Sequence, residues 1–167
     1  YMAEDKELCL GSYAFLWGHK QEQTPTWYGL FTKQKNATQS IDVLNAYWKG
    51  ESRNTAPILH SFLLNDLKKN ESVKLKKGKN CTFSYKVTDA ENDSLTYEFQ
   101  LMPESRDKKA GGDFEKTPEP ISFKIVENLN DKLVIKTPLK SGPYRFFIYV
   151  RDSNKNVATA NFPFYVK

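Results

Sequence analysis

The 167-residue sequence predicts a mainly β protein, an immunoglobulin-like β-sandwich preceded by an α/β remnant. Three observations carry that expectation. After residue 53 the chain becomes a succession of short apolar-alternating runs separated by turn residues. All three tryptophans and nine of the 23 aromatic residues fall within the first 48 positions, so composition shifts along the chain. Between the two regions "WKGESRNTAPIL" supplies a break, with Gly50, a polar stretch and then Pro57. Residues 1–52 and 53–167 are therefore expected to be separate units.

In the first unit "MAEDKEL" reads as the tail of a helix, and "LGSYAFLW" as a strand. The unbroken apolar run Tyr13, Ala14, Phe15, Leu16, Trp17 is what a strand covered on both faces requires. An irregular turn through Thr24, Pro25 and Thr26 leads to a second apolar run, Trp27 to Phe31. "TQSIDVLNAYW" then places Ile41, Leu44, Tyr47 and Trp48 on one helical face, with Thr38 as N-cap and Gly50 as terminator. A single buried-type strand between two helices leaves both strand edges unpaired, so this unit is expected to be the tail of a larger α/β domain.

In the second unit "ILHSFLLN" and "SVKLKKG" come first, followed by "CTFSYKVTD" with Phe83, Tyr85 and Val87 on one face. "DAENDS" turns the chain into "LTYEFQLM", where Leu95, Tyr97, Phe99 and Leu101 alternate in turn. "ISFKIVE", "KLVIKTP", "PYRFFIYVRD" and "VATANFPFYVK" complete the set, the last two joined by "DSNKN". About seven or eight such strands with hairpin turns is the pattern of an immunoglobulin-like sandwich, with a closed barrel as the competing architecture. The polar stretch 103–120 is much longer than an ordinary connection. It is expected to be a mobile flap or a loop ordered by contact with another domain.

Hydrophobic residues make up 39% of the chain, enough for a packed core. No run approaches the roughly 20 apolar residues of a membrane span, and no signal-peptide core is visible. Tyr1 precedes Met2, which suggests a trimmed or truncated product. Five Lys/Arg balance five Asp/Glu in residues 1–50, so the whole net charge of +5 falls on residues 51–167. Much of it is the cluster Lys68, Lys69, Lys74, Lys76, Lys77 and Lys79. With no aromatic among them to stack a base, these lysines are read as edge protection against sheet-to-sheet pairing, and no nucleic-acid partner is expected. Cys9 and Cys81 match no metal or redox spacing and are expected to be buried thiols.

No glycine-rich phosphate loop, nucleophile elbow or zinc motif occurs, and the only histidines are His19 and His60. No cofactor is expected. Asp89, Glu91 and Asp93 have the alternate spacing that gathers oxygen ligands for calcium, although such residues also suit a tight turn. Asp152, Asn154 and Asn156 receive the turn reading. The tryptophans beside amide and acidic side chains suit a sugar, whose C–H faces pack on indole rings while its hydroxyls need donors and acceptors.

The run "CLGSYAFLWGHKQEQTPTWYGLF", followed by a short helix and "YWKGESRNTAPIL", resembles the end of the (β/α)8 barrel in Bacteroidetes-type proteins related to family 2 glycoside hydrolases. In those proteins an immunoglobulin-like C-terminal domain with a D-x-x-x-D-x-L-x-Y-x-(W/F) hairpin follows the barrel, a pattern matched from Asp89 to Phe99. The "PES…GGDFE…P" loop and the ending "VATANFPFYVK" resemble that tail too. The resemblance implies that "LGSYAFLW" is the eighth strand of a TIM barrel and that Ile41 to Trp48 belongs to its eighth helix. It implies that Trp17 floors the parent's sugar site, with His19, Lys20, Gln21, Glu22 and Trp27 in the loop beyond; His19 occupies a position where the resemblance implies glutamine. Glycosidases of this kind use two carboxylates about 5 Å apart, carried on strands four and seven. Both would lie upstream, so this chain is expected to lack the catalytic pair and not to hydrolyse glycosides alone. The implied partners are an upstream barrel domain, carbohydrate in the parent and a second copy through the N-terminal segment, and the implied location is periplasmic or secreted.

Overall fold

A computed structural model describes residues 7–9, 11–50, 53–109 and 112–167. The elements are β1 (Ala37–Thr38), α1 (Gln39–Lys49), β2 (Ile58–Leu64), β3 (Lys74–Leu75), β4 (Asn80–Thr88), β5 (Thr96–Pro103), β6 (Ile125–Leu129), β7 (Lys132–Lys136), β8 (Gly142–Arg151) and β9 (Asn156–Val166). They form two packed sheets, a mainly β sandwich with one short N-terminal helix. One sheet runs β2-β4-β7-β6, all antiparallel. The other runs β5-β8-β9, with β1 and β3 both added in parallel to the outer edge of β9.

This strand order is that of an immunoglobulin domain, with β2, β4, β7 and β6 as strands A, B, E and D, and β5, β8 and β9 as C, F and G. Side-chain chemistry agrees. Near the start of β8 the Tyr144 hydroxyl donates to the Lys140 carbonyl at 2.9 Å, the corner hydrogen bond typical of strand F. Two residues on, where many such domains carry a cysteine bridged to strand B, stands Phe146. Its ring stacks on Phe83 of β4 at 4.2 Å between centroids, and Phe99 of the neighbouring strand β5 lies near-parallel at 6.0 Å. Stacked rings thus join the sheets where a disulfide often does, while Cys81 is a free thiol buried in the same core. Cys9, also free, is only half-buried, contrary to expectation, in a stretch where Glu7, Leu8 and residues 11–13 are exposed.

The alternation of β8 explains a second, smaller core. Tyr144, Phe146, Ile148 and Val150 face the other sheet. Phe147 and Tyr149 face outward, yet both are buried, together with Met102 and Val157. Side chains between His19 and Gln34, together with residues 103–105 and 117–120 of the long loop, border this outer face. The unbroken run Phe146 to Val150 is the sequence signature of such two-sided burial.

The N-terminal segment is tied down at the start of β9. Ala37 pairs with Asn156 and Thr38 with Val157. Asn156 is buried, accepts from the Arg53 guanidinium, and donates to Asp152 Oδ2 at 2.7 Å and Asn54 Oδ1 at 2.8 Å. Arg53 also meets Asp42 of α1 at 3.3 Å, and Asp42 accepts from the Ala56 N–H at 2.8 Å. Farther along β9, Lys74 of β3 pairs with Tyr165, and Pro163 in between has no N–H to template another strand.

Several expectations for residues 1–50 need correction. "LGSYAFLW" forms no strand over residues 11–17, and Leu10 lies outside the described residues. A buried-type strand needs hydrogen-bonded neighbours, and none lies beside it among the described residues. The "MAEDKEL" helix tail lies outside the described residues except for Glu7 and Leu8, which form a turn. Helix α1 forms where expected and ends on Gly50, whose left-handed backbone (φ 67°) directs its N–H to the Ala46 carbonyl. Thr38 occupies the N-cap position, but its hydroxyl donates instead to the Leu30 carbonyl at 3.0 Å. Of the apolar helical face only Ile41 is buried; Leu44 is half-buried, and Tyr47 and Trp48 are exposed.

Candidate functional site

Residues 18–31 form a closed loop whose neck is the Phe31 N–H donating to the Gly18 carbonyl at 3.3 Å. Gly29 sits in that neck: a Cβ there would lie 2.8 Å from the Phe31 carbonyl oxygen and 2.9 Å from that of Gly18. Only glycine lets the two backbones approach so closely. The loop is joined to the 103–120 stretch by Glu115, whose buried carboxylate accepts from Gln23 N–H at 2.6 Å and Lys109 N–H at 2.9 Å. Those two N–H groups, Lys109 first, hold the Glu115 carboxyl below the usual range. The long connection thus meets the N-terminal segment at Glu115.

The residues expected at a sugar site divide three ways. Trp17 is 65% exposed and meets Phe31 edge-on at 5.3 Å, and Trp27 is 53% exposed and stacks on Tyr28 at 4.7 Å. Tyr28 also touches Phe15 at 5.6 Å, so exposed rings gather on this segment together with the fully exposed Tyr13. Lys20 and Glu22 pair with each other at 3.0 Å. Gln21 turns inward and is buried, with neither amide atom hydrogen-bonded. His19 turns into a cleft against the sheet, where burial and then the nearby Lys33 charge lower its pKa, opposed by a hydrogen bond to the Pro25 backbone. The residues sequence reasoning missed are Gln100 and Tyr149 across that cleft; the signal was the outward-facing tyrosine within an unbroken apolar run.

At the β4–β5 and β8–β9 turns, Asp89, Asp93 and Asp152 each present a carboxylate oxygen within 4.8 Å of the others. Glu91 is turned away and accepts from the Thr55 hydroxyl and N–H at 3.2 Å. Asp89 Oδ1 takes the Glu91 and Asp93 N–H groups, and Asp93 Oδ2 takes the Asn54 and Asn154 amides. Asp152 Oδ1 takes the Asn154 and Asn156 N–H groups. These oxygens already hold together the β4–β5 turn, the β8–β9 turn and the junction at Asn54. A hard cation is the ligand such a trio could accept.

The chain matches no family model and no curated protein. Solved structures resemble it distantly. PcoC, a methionine-rich copper resistance protein from Escherichia coli, is 18% identical over 68% of this chain and 100% of that one, with a TM-score of 0.39. A nucleoside hydrolase-related protein from Saccharophagus degradans, associated with carbohydrate metabolism, is 17% identical over 77% of this chain and 31% of that one, at 0.44. Murine CRIg is 8% identical over 66% of this chain and 96% of that one, at 0.37. The immunoglobulin-like assignment rests on strand order and on the Tyr144 corner, not on these likenesses.

Proposed function

We propose that the chain is the C-terminal part of a carbohydrate-active protein, an immunoglobulin-like accessory domain joined to the last strand and helix of an upstream (β/α)8 barrel. The observation that carries this reading is a mismatch in residues 11–50. Their far end is fixed to the sandwich by backbone pairing and the Arg53–Asp42–Asn156 contacts, yet Tyr13, Phe15, Trp17, Trp27, Tyr47 and Trp48 remain exposed. Monomers rarely leave so much contiguous apolar surface in water. Covered by barrel strands and helices, the same side chains would be ordinary core.

In that parent, Trp17 floors the sugar site, with His19, Lys20, Gln21, Glu22 and Trp27 around it, and the catalytic carboxylates lie on upstream strands. Glu22, paired with Lys20, is no substitute for them. The resemblance alone supports a periplasmic or secreted location. Two tests bear on this reading. The chain by itself should turn over no aryl glycoside; turnover that survives repurification and disappears on changing one of its own residues would overturn it. The reading frame upstream should encode seven further βα units with two glutamates at the ends of strands four and seven, and a frame without them would overturn it equally.

The exposure of Trp17 and Trp27 favours one second reading, a non-catalytic glycan-binding module. Polysaccharide titration followed by tryptophan fluorescence separates the two, since the first reading expects no saturable change without the barrel. In isolation the exposed face should pair with a second copy, seen as a concentration-dependent rise in mass by light scattering.

A further inference from the structure

The meeting of the β4–β5 and β8–β9 turns leaves a charge imbalance. Asp89, Asp93 and Asp152 hold carboxylate oxygens within 4.8 Å of one another, and no Lys or Arg among the described residues forms an ion pair with any of them. Their hydrogen bonds come from neutral donors, the backbone N–H groups of the two turns and the amides of Asn54, Asn154 and Asn156. Such dipoles satisfy lone pairs without cancelling charge. Asp152 is only 8% exposed, so water screens its charge poorly.

One atom shows that these donors do not complete the site. Asp89 Oδ1 accepts both the Glu91 and Asp93 N–H groups, whereas Asp89 Oδ2 is buried from solvent with no hydrogen-bond partner in the protein. A buried carboxylate oxygen left in that state is costly, and native structures rarely keep one without a bound water or ion. The neighbouring carboxylates select between the two. A water would satisfy Oδ2 but leave three like charges together, while a divalent cation bonds to Oδ2 and offsets the charge as well. The spacing suits calcium, whose oxygen ligands at about 2.3–2.6 Å stand up to about 5 Å apart across the ion. Magnesium demands a tighter, near-octahedral shell at about 2.0–2.1 Å.

We propose that Asp89, Asp93 and Asp152 form a calcium site, with Asp89 Oδ2 as the ligand atom that the protein itself leaves unbonded. Water completes the shell where Asp89 and Asp93 are partly exposed. The ion would clamp three pieces of chain. Asp89 and Asp93 belong to the β4–β5 turn, Asp152 opens the β8–β9 turn, and Asn54, which donates to Asp93, lies on the link between α1 and β2. Because Asp152 holds the Asn156 N–H and Asn156 pairs with Ala37 of β1, calcium would stiffen the joint between the N-terminal segment and the sandwich. The inference stands apart from the carbohydrate reading and survives its failure.

The test is a titration of the whole chain, first stripped with EDTA, with calcium chloride and separately with magnesium chloride at constant ionic strength, read by amide NMR and thermal melting. Saturable calcium shifts should appear together at the Glu91, Asp93, Asn154 and Asn156 amides, with a Kd in the range of about 10⁻⁴–10⁻³ M found for extracellular calcium modules. The Tm should rise with calcium concentration, and magnesium should bind about tenfold more weakly. Asp89→Asn keeps Oδ1 to accept the turn's N–H groups while removing one charge, and should weaken calcium binding about tenfold. Asp93→Asn should do the same, so the outcome does not depend on one variant folding. Glu91→Gln, whose side chain meets Thr55 instead, should leave binding unchanged. No saturable shift by about 10 mM calcium, ten times the weak end of that range, would overturn the proposal. So would an equal response to magnesium, or an unchanged Kd in both Asp89→Asn and Asp93→Asn. A loss with Glu91→Gln as large as with Asp89→Asn would reveal diffuse attraction to an acidic turn and overturn it too.

Discussion

Residues 11–50 and residues 53–167 both abound in aromatic side chains but direct them oppositely. In the sandwich Phe83, Phe146 and Phe162 are wholly buried, and Phe83 alone contacts four other phenylalanine rings. In the N-terminal segment Tyr13, Phe15, Trp17 and Trp27 are more than half exposed. Residue type does not make this difference; hydrogen-bonded neighbours do. Each long strand of the sandwich has a partner that fixes its register and so decides which side chains face the core. The run Tyr13 to Trp17 has no such partner among the described residues, and only the short pair Ala37–Thr38 on β9 recruits this segment to a sheet.

The largest separation between the two regions should appear in stability. Phe146→Ala removes the fully buried ring stacked on Phe83 and packed near Phe99 and should cost about 3–5 kcal/mol in urea unfolding. A loss under about 1 kcal/mol would mean that this stack is not the pin between the sheets. Next comes the junction that joins the regions. Asp152→Ala would leave the Asn156 and Asn154 N–H groups without their acceptor and should cost about 1–3 kcal/mol. Tyr144→Phe, which loses only the corner hydrogen bond to Lys140, should cost about 1 kcal/mol. Tyr13→Ser, on the exposed face, should change stability by no more than about 0.5 kcal/mol; a larger loss would show that Tyr13 is packed in solution.

The smallest effect concerns the tie between segment and loop. Glu115 titrates below its ordinary value because it accepts the Lys109 and Gln23 N–H groups. A depressed carboxyl stabilises the closed form above the ordinary pKa of 4.5, and that stabilisation is lost as pH falls through the folded value. The amide proton shifts of Gln23 and Lys109 should therefore hold steady down to pH 4.5 and move together below it. A midpoint at or above 4.5 would contradict the geometry.

The strands of the sandwich were legible because their period-two patterns report local structure. Phe83, Tyr85 and Leu101 turn inward as their alternation implies. Some limits were misplaced: "SVKLKKG" shrinks to Lys74–Leu75, and "ISFKIVE" yields a strand only from Ile125, running on to Leu129. Strands at sheet edges lack a second neighbour, so their ends are set by a few hydrogen bonds that a pattern cannot register. The sequence reads Asp152 only as a turn residue, because its approach to Asp89 and Asp93 depends on the β8–β9 hairpin turn meeting the β4–β5 turn that passes between the sheets. The sugar-site expectation scattered for a related reason. Trp17, Gln21 and His19 are close in sequence, but without strand neighbours nothing aims their side chains in common.

The direct test of this contrast is removal of residues 1–52. The account predicts that residues 53–167 alone still unfold cooperatively and keep dispersed NMR signals for Phe83, Phe146 and Leu133 in the core, while Phe147 and Tyr149 of the outer face become exposed to solvent. A truncated chain that is unfolded, or that has lost those core signals, would show that the N-terminal segment is an integral part of the sandwich and would contradict the account.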